Sequence, residues 1–427
     1  MLIGIDASRA NKRRKTGTEW YSYHVIKEIA QLDKKNKYIL YTNKPLVREM
    51  VDLECNYFVD TNKNHEKPKF DKQGYQIIKS PHGNFRAKIL KWPFYFFWTL
   101  GRLSLEMLLS KPDVLFIPAH TIPLFSPKKT ITTIHDVAFI SDQFLYRQQD
   151  MGSSHKSWRN IINFFIRILT LGTYGANSYD YLKWSTAFSL KNAKKIITVS
   201  QTTKKEIIEF YHTEKSKLVT VYNGYNNNLY QKINNQEKIN PVLKKYGINS
   251  SYFLYIGRLE KKKNTPALIE AFAIFRENHK DIKHKLVLIG DASFGYDEVK
   301  YIMQEYNIDS EIIMPGWVEE ADMPFLYNGA IAFVFPSKYE GFGIPILQAM
   351  GCGVPVLASD IPSLREVAGN AAFFFNIDDS SSLISAMENI TLNDNLRKSL
   401  IQKGNERVKN FSWHKCAKET LAVIQDM

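Results

Sequence analysis

Short apolar runs typical of β-strands alternate with amphipathic helical segments along the chain, and the pattern starts again near residue 252. This alternation predicts parallel α/β sheets. Because 427 residues are more than a single hydrophobic core normally serves, we expect two such domains. The strand-like runs are MLIGIDAS, KYILYTN, DVLFIPA, KTITTIHD and AKKIITVS in the first half, and SYFLYIGRL, KLVLIGD, EIIMPGW, GAIAFVFPS and VPVLASD in the second.

The boundary between the two domains is predicted in the polar segment 226–240, which reads NNNLYQKINNQEKIN. Residues 1–225 would form the first domain and residues 226–410 the second. Residues 411–427 are predicted to form a helix that is followed by no strand. The expected architecture is therefore two α/β domains followed by a terminal helix.

Charge is distributed unevenly between these domains. Residues 1–225 contain 35 Lys+Arg and 19 Asp+Glu, a net charge of +16, whereas residues 226–427 contain 22 and 24, a net charge of −2. A strongly basic half predicts an anionic partner. Nucleic acid and an anionic membrane surface are both candidates.

Two segments of the basic half combine apolar, aromatic and basic residues. Residues 85–109 read FRAKILKWPFYFFWTLGRLSLEMLL, and residues 156–171 read KSWRNIINFFIRILTL. In the second segment, Trp158 and Phe165 fall on one helical face and Arg167 on the other. Such a helix suits a membrane interface, and a core helix with a solvated back shows the same pattern. Both interpretations stay open at this point.

The cellular location is predicted from features that the sequence lacks. No apolar run reaches the roughly 18–20 residues that a membrane-spanning helix needs. The N-terminus, MLIGIDASRA, has neither the basic nor the apolar region of a signal peptide. The cysteines Cys55, Cys352 and Cys416 show no disulfide or zinc spacing. We therefore expect a cytoplasmic protein, soluble or peripheral on the inner face of the cytoplasmic membrane.

Two strand ends in the second domain carry residues suited to binding an anion. Gly341-Phe342-Gly343 follows one predicted strand and precedes a helix, whose first backbone N–H groups have no partners within the helix. Arg258 comes directly after another strand, and Lys263 follows shortly before the next helix. Two cations near neighbouring strand ends can neutralise a diphosphate. A turn glycine and a solvated lysine run are the ordinary alternatives.

The motifs GRLEKKKN, GWVEEADMPFLYNGA and PSKYEGFGIPILQAMGCGVPVLASD occur in this order, together with TIHDVAF, VSQTTKKEI, VYNGYN and FSWHKCAKETL. In this combination the chain resembles the retaining glycosyltransferases of family 4. The resemblance implies a GT-B fold, in which two Rossmann-like domains face each other across a cleft. It also implies a nucleotide-sugar donor in the second domain, an acceptor in the first, and a C-terminal helix that crosses back onto the first domain.

The resemblance further implies roles for individual residues. Arg258 and Lys263 would bind the donor diphosphate and stabilise the leaving group, while Glu340 would contact hydroxyls of the transferred sugar. His135 would approach that sugar from the first domain. Gly17 and Thr18 would close over the donor phosphates, and Gly257 would lie beside Arg258. The main chain of Trp317 and Val318 would contact the base. The sugar and the phosphate would be held by the region of Gly341, Phe342, Gly343 and Ile344.

Gln348 departs from the family pattern. It lies eight residues after Glu340, where the family usually has a second glutamate that binds both ribose hydroxyls. An amide offers one acceptor oxygen and an NH2 donor instead of two charged acceptors. Because hydrogen bonds to charged groups contribute about 1.5–3 kcal/mol, we expect weaker donor binding with the chemistry retained. An inactive relative is the alternative.

By the family pattern, the acceptor attacks the anomeric carbon from the face that the leaving group occupies. The anomeric configuration is therefore retained. Positive charge near the departing diphosphate would stabilise it. We expect no metal and no cofactor other than the donor substrate. Asp136, Asp291 and Asp360 lie near predicted strand ends, but no DxD or HxH pair suited to a nucleotide-bound Mg²⁺ is found there.

The resemblance thus implies a hexosyltransferase, similar to mannosyltransferases, in the synthesis of a cell-surface polysaccharide or glycolipid. The acceptor would be a glycan or a lipid-linked glycan. A GT-B nucleotide-sugar epimerase shares the scaffold and is one alternative. A nucleic-acid-binding protein, suggested by the net charge of +14, is another. No recognition helix, zinc spacing or RNP-like strand supports that alternative, so no nucleic-acid partner is expected.

Overall fold

The structure is a computed structural model that describes residues 1–54, 67–93, 97–141, 143, 177–292 and 295–427. The chain divides into two compact units. Unit 1 comprises Met1–Tyr222 and Trp413–Met427, and unit 2 comprises Asn223–Ser412. The predicted interfacial segment 156–171 lies outside the described residues.

Unit 1 is built on an eight-stranded sheet. Every strand-like run predicted from the first half of the sequence forms a strand in it. The strands are β1 (Leu2–Asp6), β2 (Lys37–Thr42), β3 (Gln76–Ile77), β4 (Phe85–Ile89), β5 (Val114–Ile117), β6 (Thr130–Ile134), β7 (Lys195–Thr198) and β8 (Leu218–Thr220). Their order is β3-β4-β2-β1-β5-β6-β7-β8, and only the β3–β4 pair is antiparallel.

The helices of unit 1 cover this sheet with apolar side chains. Ser200 shows how one of them starts, since its Oγ accepts the N–H of Thr203 at 3.0 Å in the usual N-cap arrangement. Over the described residues before Tyr222, the helices are α1 (Gly17–Leu32), α2 (Ser104–Leu109), α3 (Ala138–Ser141), α4 (Ser178–Asn192) and α5 (Gln201–Tyr211). Shorter turns are 3₁₀ at Arg48–Met50 and Lys215–Lys217, and π-helical at Thr99–Leu103.

Unit 2 is built on a six-stranded, fully parallel sheet. Its central strands are apolar along their whole length because helices cover both faces; YFLYI, for example, is almost completely buried. The strands are β9 (Tyr252–Ile256), β10 (Lys285–Ile289), β11 (Ile312–Gly316), β12 (Ala332–Phe335), β13 (Val356–Ser359) and β14 (Phe373–Phe375), in the order β11-β10-β9-β12-β13-β14.

The helices of unit 2 follow the strands in alternation, which is the βαβ connectivity that the sequence predicted. They are α6 (Gln236–Lys245), α7 (Thr265–Asn278), α8 (Tyr296–Glu305), α9 (Met323–Asn328), α10 (Ile344–Gly351), α11 (Pro362–Ala368), α12 (Ser380–Leu392) and α13 (Asp394–Arg407). Three 3₁₀ turns lie at Lys261–Lys263, Asp309–Glu311 and Val408–Asn410. Over the described residues, no helix is both long and apolar enough to cross a bilayer.

The C-terminal helix α14 (Trp413–Gln425) belongs to unit 1 and packs against α1. Trp413 is buried and stacks on the imidazole of His24, with ring centroids 4.7 Å apart and planes 6° from parallel. Tyr21 meets the same indole edge-on at 6.2 Å. Burial, together with the charges of Lys27 and Lys15, holds the pKa of His24 well below its usual range, so that the stacked ring is neutral.

We predict that Trp413→Ala lowers the free energy of unfolding of unit 1 by about 3–5 kcal/mol, because it removes a large buried side chain from the contact between α1 and α14. Lys418→Ala is the control, since this residue of the same helix is exposed. Chemical denaturation, with hydrogen exchange of the α1 amides, measures the difference. Equal stability of the two variants would show that α14 does not support the fold of unit 1.

Candidate active site

The strand order of unit 2 reverses between β9 and β12. The strands β10 and β11 lie on one side of this point and β13 and β14 on the other. In parallel α/β sheets, ligands bind outside the carboxyl ends of the strands at such a switch point. Arg258 follows the end of β9 and Glu340 follows the end of β12. Two of the predicted site residues therefore belong to the loops that border this position.

An ion pair between Lys263 and Glu340 joins the two loops. The Nζ atom of Lys263 donates to Oε1 of Glu340, and the side chains are only 17% and 14% exposed. The backbone N–H of Lys338 donates to the carbonyl of Lys262 at 3.1 Å and ties the loops a second time. The Lys263 ammonium also lies 5.7 Å from the ring centroid of Phe335. Residues 77 positions apart in the sequence thus meet in one polar cluster.

Arg258 follows the end of β9, in the loop that also carries Lys263. Its side chain is 62% exposed, and Nη1 is 3.5 Å from Oε2 of the buried Glu260. The hydroxyl of Tyr255 donates to the carbonyl oxygen of Arg258 at 2.8 Å and holds the turn that follows β9. The backbone of Arg258 is therefore well fixed, while its guanidinium can reach a solute.

Gly290 allows the ends of β9 and β10 to approach each other, a feature that the sequence reasoning missed. It has φ +145°, and a Cβ atom there would overlap the carbonyl oxygen of Gly257. Hydrogen bonds run from Gly257 N–H to Ile289 O at 2.9 Å and from Leu259 N–H to Asp291 O at 3.0 Å. The signal in the sequence was a glycine directly after the strand in KLVLIGD.

The helix α10 starts beside Glu340, at the glycine motif. Gly343 is its N-cap residue with φ +100°, and a Cβ atom there would lie 2.7 Å from Cδ2 of Leu364. No side chain caps this end of the helix. Phe342 is buried and packs edge-on against Phe411 at 5.9 Å. The positive end of the α10 dipole therefore lies next to the polar cluster, with its backbone positioned by packing.

Gln348 is held from within the protein by Tyr327, which the sequence reasoning did not single out. The buried Tyr327 hydroxyl donates to Oε1 of Gln348 at 3.2 Å. Burial raises the pKa of Tyr327, so its hydroxyl stays protonated and acts as a donor. One lone pair of the amide oxygen is thus engaged already, and the second lone pair and the NH2 group remain for a ligand.

Trp317 and Val318 follow β11 at the edge of the sheet. Trp317 is 37% exposed and Val318 is buried. Because β10 lies between β11 and β9, these two residues are at the same carboxyl edge as Arg258 but not beside it. The structure thus brings Lys263 and Glu340 into contact and puts Trp317 and Val318 at the margin of the same edge.

In unit 1 the predicted site residue His135 follows β6. Its Nε2 is 3.2 Å from the carbonyl oxygen of Pro118; since a carbonyl only accepts, Nε2 carries the proton and Nδ1 has the lone pair. The ring meets Tyr21 edge-on at 4.7 Å and lies 6.0 Å from the ring of His120. Burial first, and then the neighbouring His120, lower the pKa of His135 to about 4. His135 is therefore a neutral hydrogen-bond acceptor at physiological pH.

Gly17 and Thr18 are the first residues of α1, and the space around a Cβ at Gly17 is open. Glu19 caps this end of the helix, because its Oε2 accepts the Thr16 N–H at 3.3 Å. Its Oε1 accepts a hydrogen bond from Lys12 Nζ at 2.8 Å. Burial opposes ionisation of Glu19, but the hydrogen bonds from Lys12 and Thr16 outweigh it and hold the pKa at about 2.

Acidic residues at other strand ends serve local structure. Oδ2 of Asp360 accepts from Nη2 of Arg365 at 2.6 Å, and Oδ1 of Asp136 accepts the N–H of Ala138 at 3.0 Å. Within the ranges that the structure describes, no three His, Cys, Asp or Glu side chains come together as ligands for a metal ion.

Residues 237–407 match the family model of the glycosyl transferases group 1, and residues 45–229 match that of glycosyltransferase family 4. A relative, the O-antigen chain mannosyltransferase B of Escherichia coli, is 30% identical over 301 residues, which are 70% of this chain and 77% of the relative. The chain belongs to glycosyltransferase family 4. This confirms the family that the motifs indicated.

Further comparisons agree with this family. The O-antigen chain mannosyltransferase RfbU of Salmonella typhimurium is 25% identical over 352 residues, covering 81% of this chain and 83% of that relative. The solved structure of sucrose-phosphate synthase from Thermosynechococcus elongatus matches with a TM-score of 0.68 and 16% identity, covering 100% of this chain and 98% of that one. At this identity the match shows the fold alone, and with the two parallel α/β units it confirms the predicted GT-B fold.

We predict that the imidazole of His135 has a pKa of about 4 in the folded protein, compared with a pKa of about 6.5 for an ordinary histidine. Between these values the unfolded chain binds more protons, so the contribution of His135 to stability decreases as the pH falls from about 6.5 to about 4. NMR titration of the ring protons measures the pKa, and His135→Asn identifies the resonance. A midpoint above pH 6 would contradict the neutral, acceptor state of the ring.

Proposed function

We propose that this glycosyltransferase is a retaining hexosyltransferase, with mannose as the sugar that it transfers. The donor would be a nucleotide-diphosphate sugar, and the acceptor a glycan or lipid-linked glycan in O-antigen or other lipopolysaccharide synthesis. The names of the two relatives support the sugar and the pathway class. The observation that carries the chemistry is the Lys263–Glu340 pair at the switch point of the unit 2 sheet, with Arg258 in the same loop as Lys263.

In this proposal the donor diphosphate lies against Arg258 and Lys263. Arg258 is exposed and has a planar guanidinium suited to two phosphate oxygens. The ammonium of Lys263 has three N–H donors, so it can serve Glu340 and a phosphate oxygen together. Glu340, anchored by Lys263, has acceptor capacity left for hydroxyls of the transferred sugar. The ion pair thus links the site of the leaving group to that of the sugar.

The transfer breaks the bond between the anomeric carbon and the diphosphate oxygen, and the electron pair leaves with the diphosphate. The growing negative charge is stabilised by Arg258, by Lys263 and by the positive end of α10. An acceptor hydroxyl attacks the anomeric carbon on the same face, and its proton passes to the departing phosphate. The products are the glycosylated acceptor, with the configuration retained, and a nucleoside diphosphate.

Unit 1 carries polar groups of its own that are proposed to bind a sugar or a phosphate. Nδ1 of the neutral His135 can accept a hydrogen bond from a sugar hydroxyl, because Nε2–H is held by the Pro118 carbonyl. At the start of α1, the backbone of Gly17 is open to a phosphate.

Arg258, Lys263 and the positive end of α10 supply the positive charge that Mg²⁺ supplies in other nucleotide sites. Activity is therefore proposed to persist in the presence of a chelator.

We predict that Lys263→Ala and Glu340→Ala each reduce kcat/KM by about 100-fold or more, the scale seen when one preorganised electrostatic contact at a reacting centre is removed. Lys261→Ala is the matched control. It lies in the same lysine run but pairs with Glu298 at 3.5 Å, away from Glu340. Acceptor glycosylation from a panel of nucleotide sugars, with donor-induced thermal shifts, measures both effects.

Several outcomes of that assay would contradict the proposal. Full activity of Lys263→Ala, with Lys261→Ala equally active, would end the assignment of the site. A donor that loses its sugar from the nucleotide with no acceptor turnover under any condition would favour the epimerase-like alternative. Inversion of the anomeric configuration in the product would contradict the same-face attack.

We predict that Gln348→Glu keeps or tightens donor binding, by up to about 10-fold if one charge-assisted hydrogen bond is gained. A carboxylate at this position can still accept from the Tyr327 hydroxyl and has a second oxygen for the ribose. Gln348→Leu, which removes both polar groups, is the comparison and should weaken binding. Calorimetric titration with the preferred nucleotide sugar measures the change. A large loss for Gln348→Glu would mean that the amide NH2 group makes a specific donor contact.

A further inference from the structure

The short helix α2 and the loop after β5 expose a group of large apolar side chains on unit 1. The loop is joined to the helix, because the backbone N–H of Leu124 donates to Oγ of Ser104 at 2.8 Å. The members of this group, which we name the α2 patch, are Leu105, Leu108, Leu109, Leu124 and Phe125, with exposed fractions of 50, 59, 73, 45 and 54%. A group of exposed apolar side chains of this kind is typical of an interaction surface.

The opposite side of α2 is fixed to unit 1, so the leucines cannot turn inward. Leu103 and Met107 are buried in the core of the unit. Glu106 is also buried and accepts from Lys88 Nζ at 2.5 Å and from Arg102 Nη1 at 3.3 Å. Because these contacts occupy the inner face, the helix presents Leu105, Leu108 and Leu109 to the outside as a stable arrangement.

Basic residues are frequent in the segment that carries the α2 patch. Residues 85–129 contain seven Lys+Arg and two Asp+Glu, and the buried Glu106 is neutralised by its two cations. Lys111 follows the helix directly, and Lys128 and Lys129 end the loop that carries Leu124 and Phe125; all three lysines are exposed. None of these three forms an ion pair with another residue in the described ranges. The patch thus combines exposed apolar side chains with positive charge.

We propose that the α2 patch docks unit 1 on the surface of an anionic lipid bilayer. The leucines and Phe125 would enter the boundary between headgroups and acyl chains, and the lysines would contact the anionic headgroups. A second copy of the chain fits the patch poorly, because a symmetric contact would bring lysines against lysines. A protein partner is also disfavoured, since lysine is depleted in the cores of protein interfaces.

This proposal goes beyond the transfer reaction, since it depends on neither the donor nor the sugar. Each lysine near an anionic surface contributes about 1 kcal/mol, equivalent to about fivefold in binding. The apolar side chains add a contribution that salt does not screen. Binding is therefore expected to weaken in salt without disappearing. A docked enzyme would be concentrated at the surface where lipid-linked glycans are found.

The test is co-sedimentation of the full-length protein with vesicles of equal parts phosphatidylglycerol and phosphatidylcholine, without nucleotide sugar. Leu108→Ser/Leu109→Ser and Lys128→Gln/Lys129→Gln are the patch variants. The matched controls are Leu392→Ser, a 67% exposed leucine of unit 2, and Lys34→Gln/Lys35→Gln, an exposed lysine pair of unit 1. We expect at least a tenfold loss of partitioning for each patch variant, wild-type partitioning for the controls, and little binding to pure phosphatidylcholine.

Other measurements keep the proposal falsifiable. Melting temperatures of the patch variants should equal that of the wild type; a clear decrease would mean that another part of the chain covers the leucines. Analytical ultracentrifugation should give the same mass for wild type and Leu108→Ser/Leu109→Ser. Loss of a dimer in the variant would assign the patch to self-association and overturn the proposal. Unchanged vesicle binding in both patch variants would overturn it as well, whatever the activity on a soluble acceptor.

Discussion

The parallel pairing of β9 with β12 is the constraint on which the candidate site depends. It puts the strand that ends before Arg258 next to the strand that ends before Glu340. Because both strands point the same way, their following loops emerge at one edge of the sheet, and Lys263 can reach Glu340 across them. The glycine start of α10 belongs to the same edge. Without this pairing, the two cations and the acid would be separate surface features.

In the proposed function, the Lys263–Glu340 pair serves ligand binding more than stability. Both side chains are largely buried, and removing two charges from water costs free energy that their attraction only partly returns. A ligand that carries both hydroxyls and a diphosphate offers each partner further hydrogen bonds. The surroundings favour such a ligand, since Arg258 is exposed nearby and the positive end of α10 is adjacent. These features support the proposal that the site binds an anion attached to a sugar.

Two residues illustrate where prediction from the sequence ended. Gln348 could be recognised as a departure from the family pattern, but its contact with the Tyr327 hydroxyl could not, because Tyr327 reads as an ordinary core aromatic of another helix. Gly290 is one of many glycines that follow strands, and only the closeness of the Gly257 carbonyl shows why no side chain fits there. Both features depend on which elements are neighbours in space. No local pattern of residue types records such neighbours.

The sequence by itself determined the alternation of strands and helices, the strand ends that carry Arg258 and Glu340, and the excess of positive charge in the first half. These properties follow from short-range periodicity and composition, which a reader can count along the chain. Only the tertiary structure decided which strand ends are adjacent, that Lys263 pairs with Glu340, and that Leu108 and Leu109 stay at the surface while Met107 is buried. The physical reason is that strand order and burial result from contacts between residues far apart in sequence.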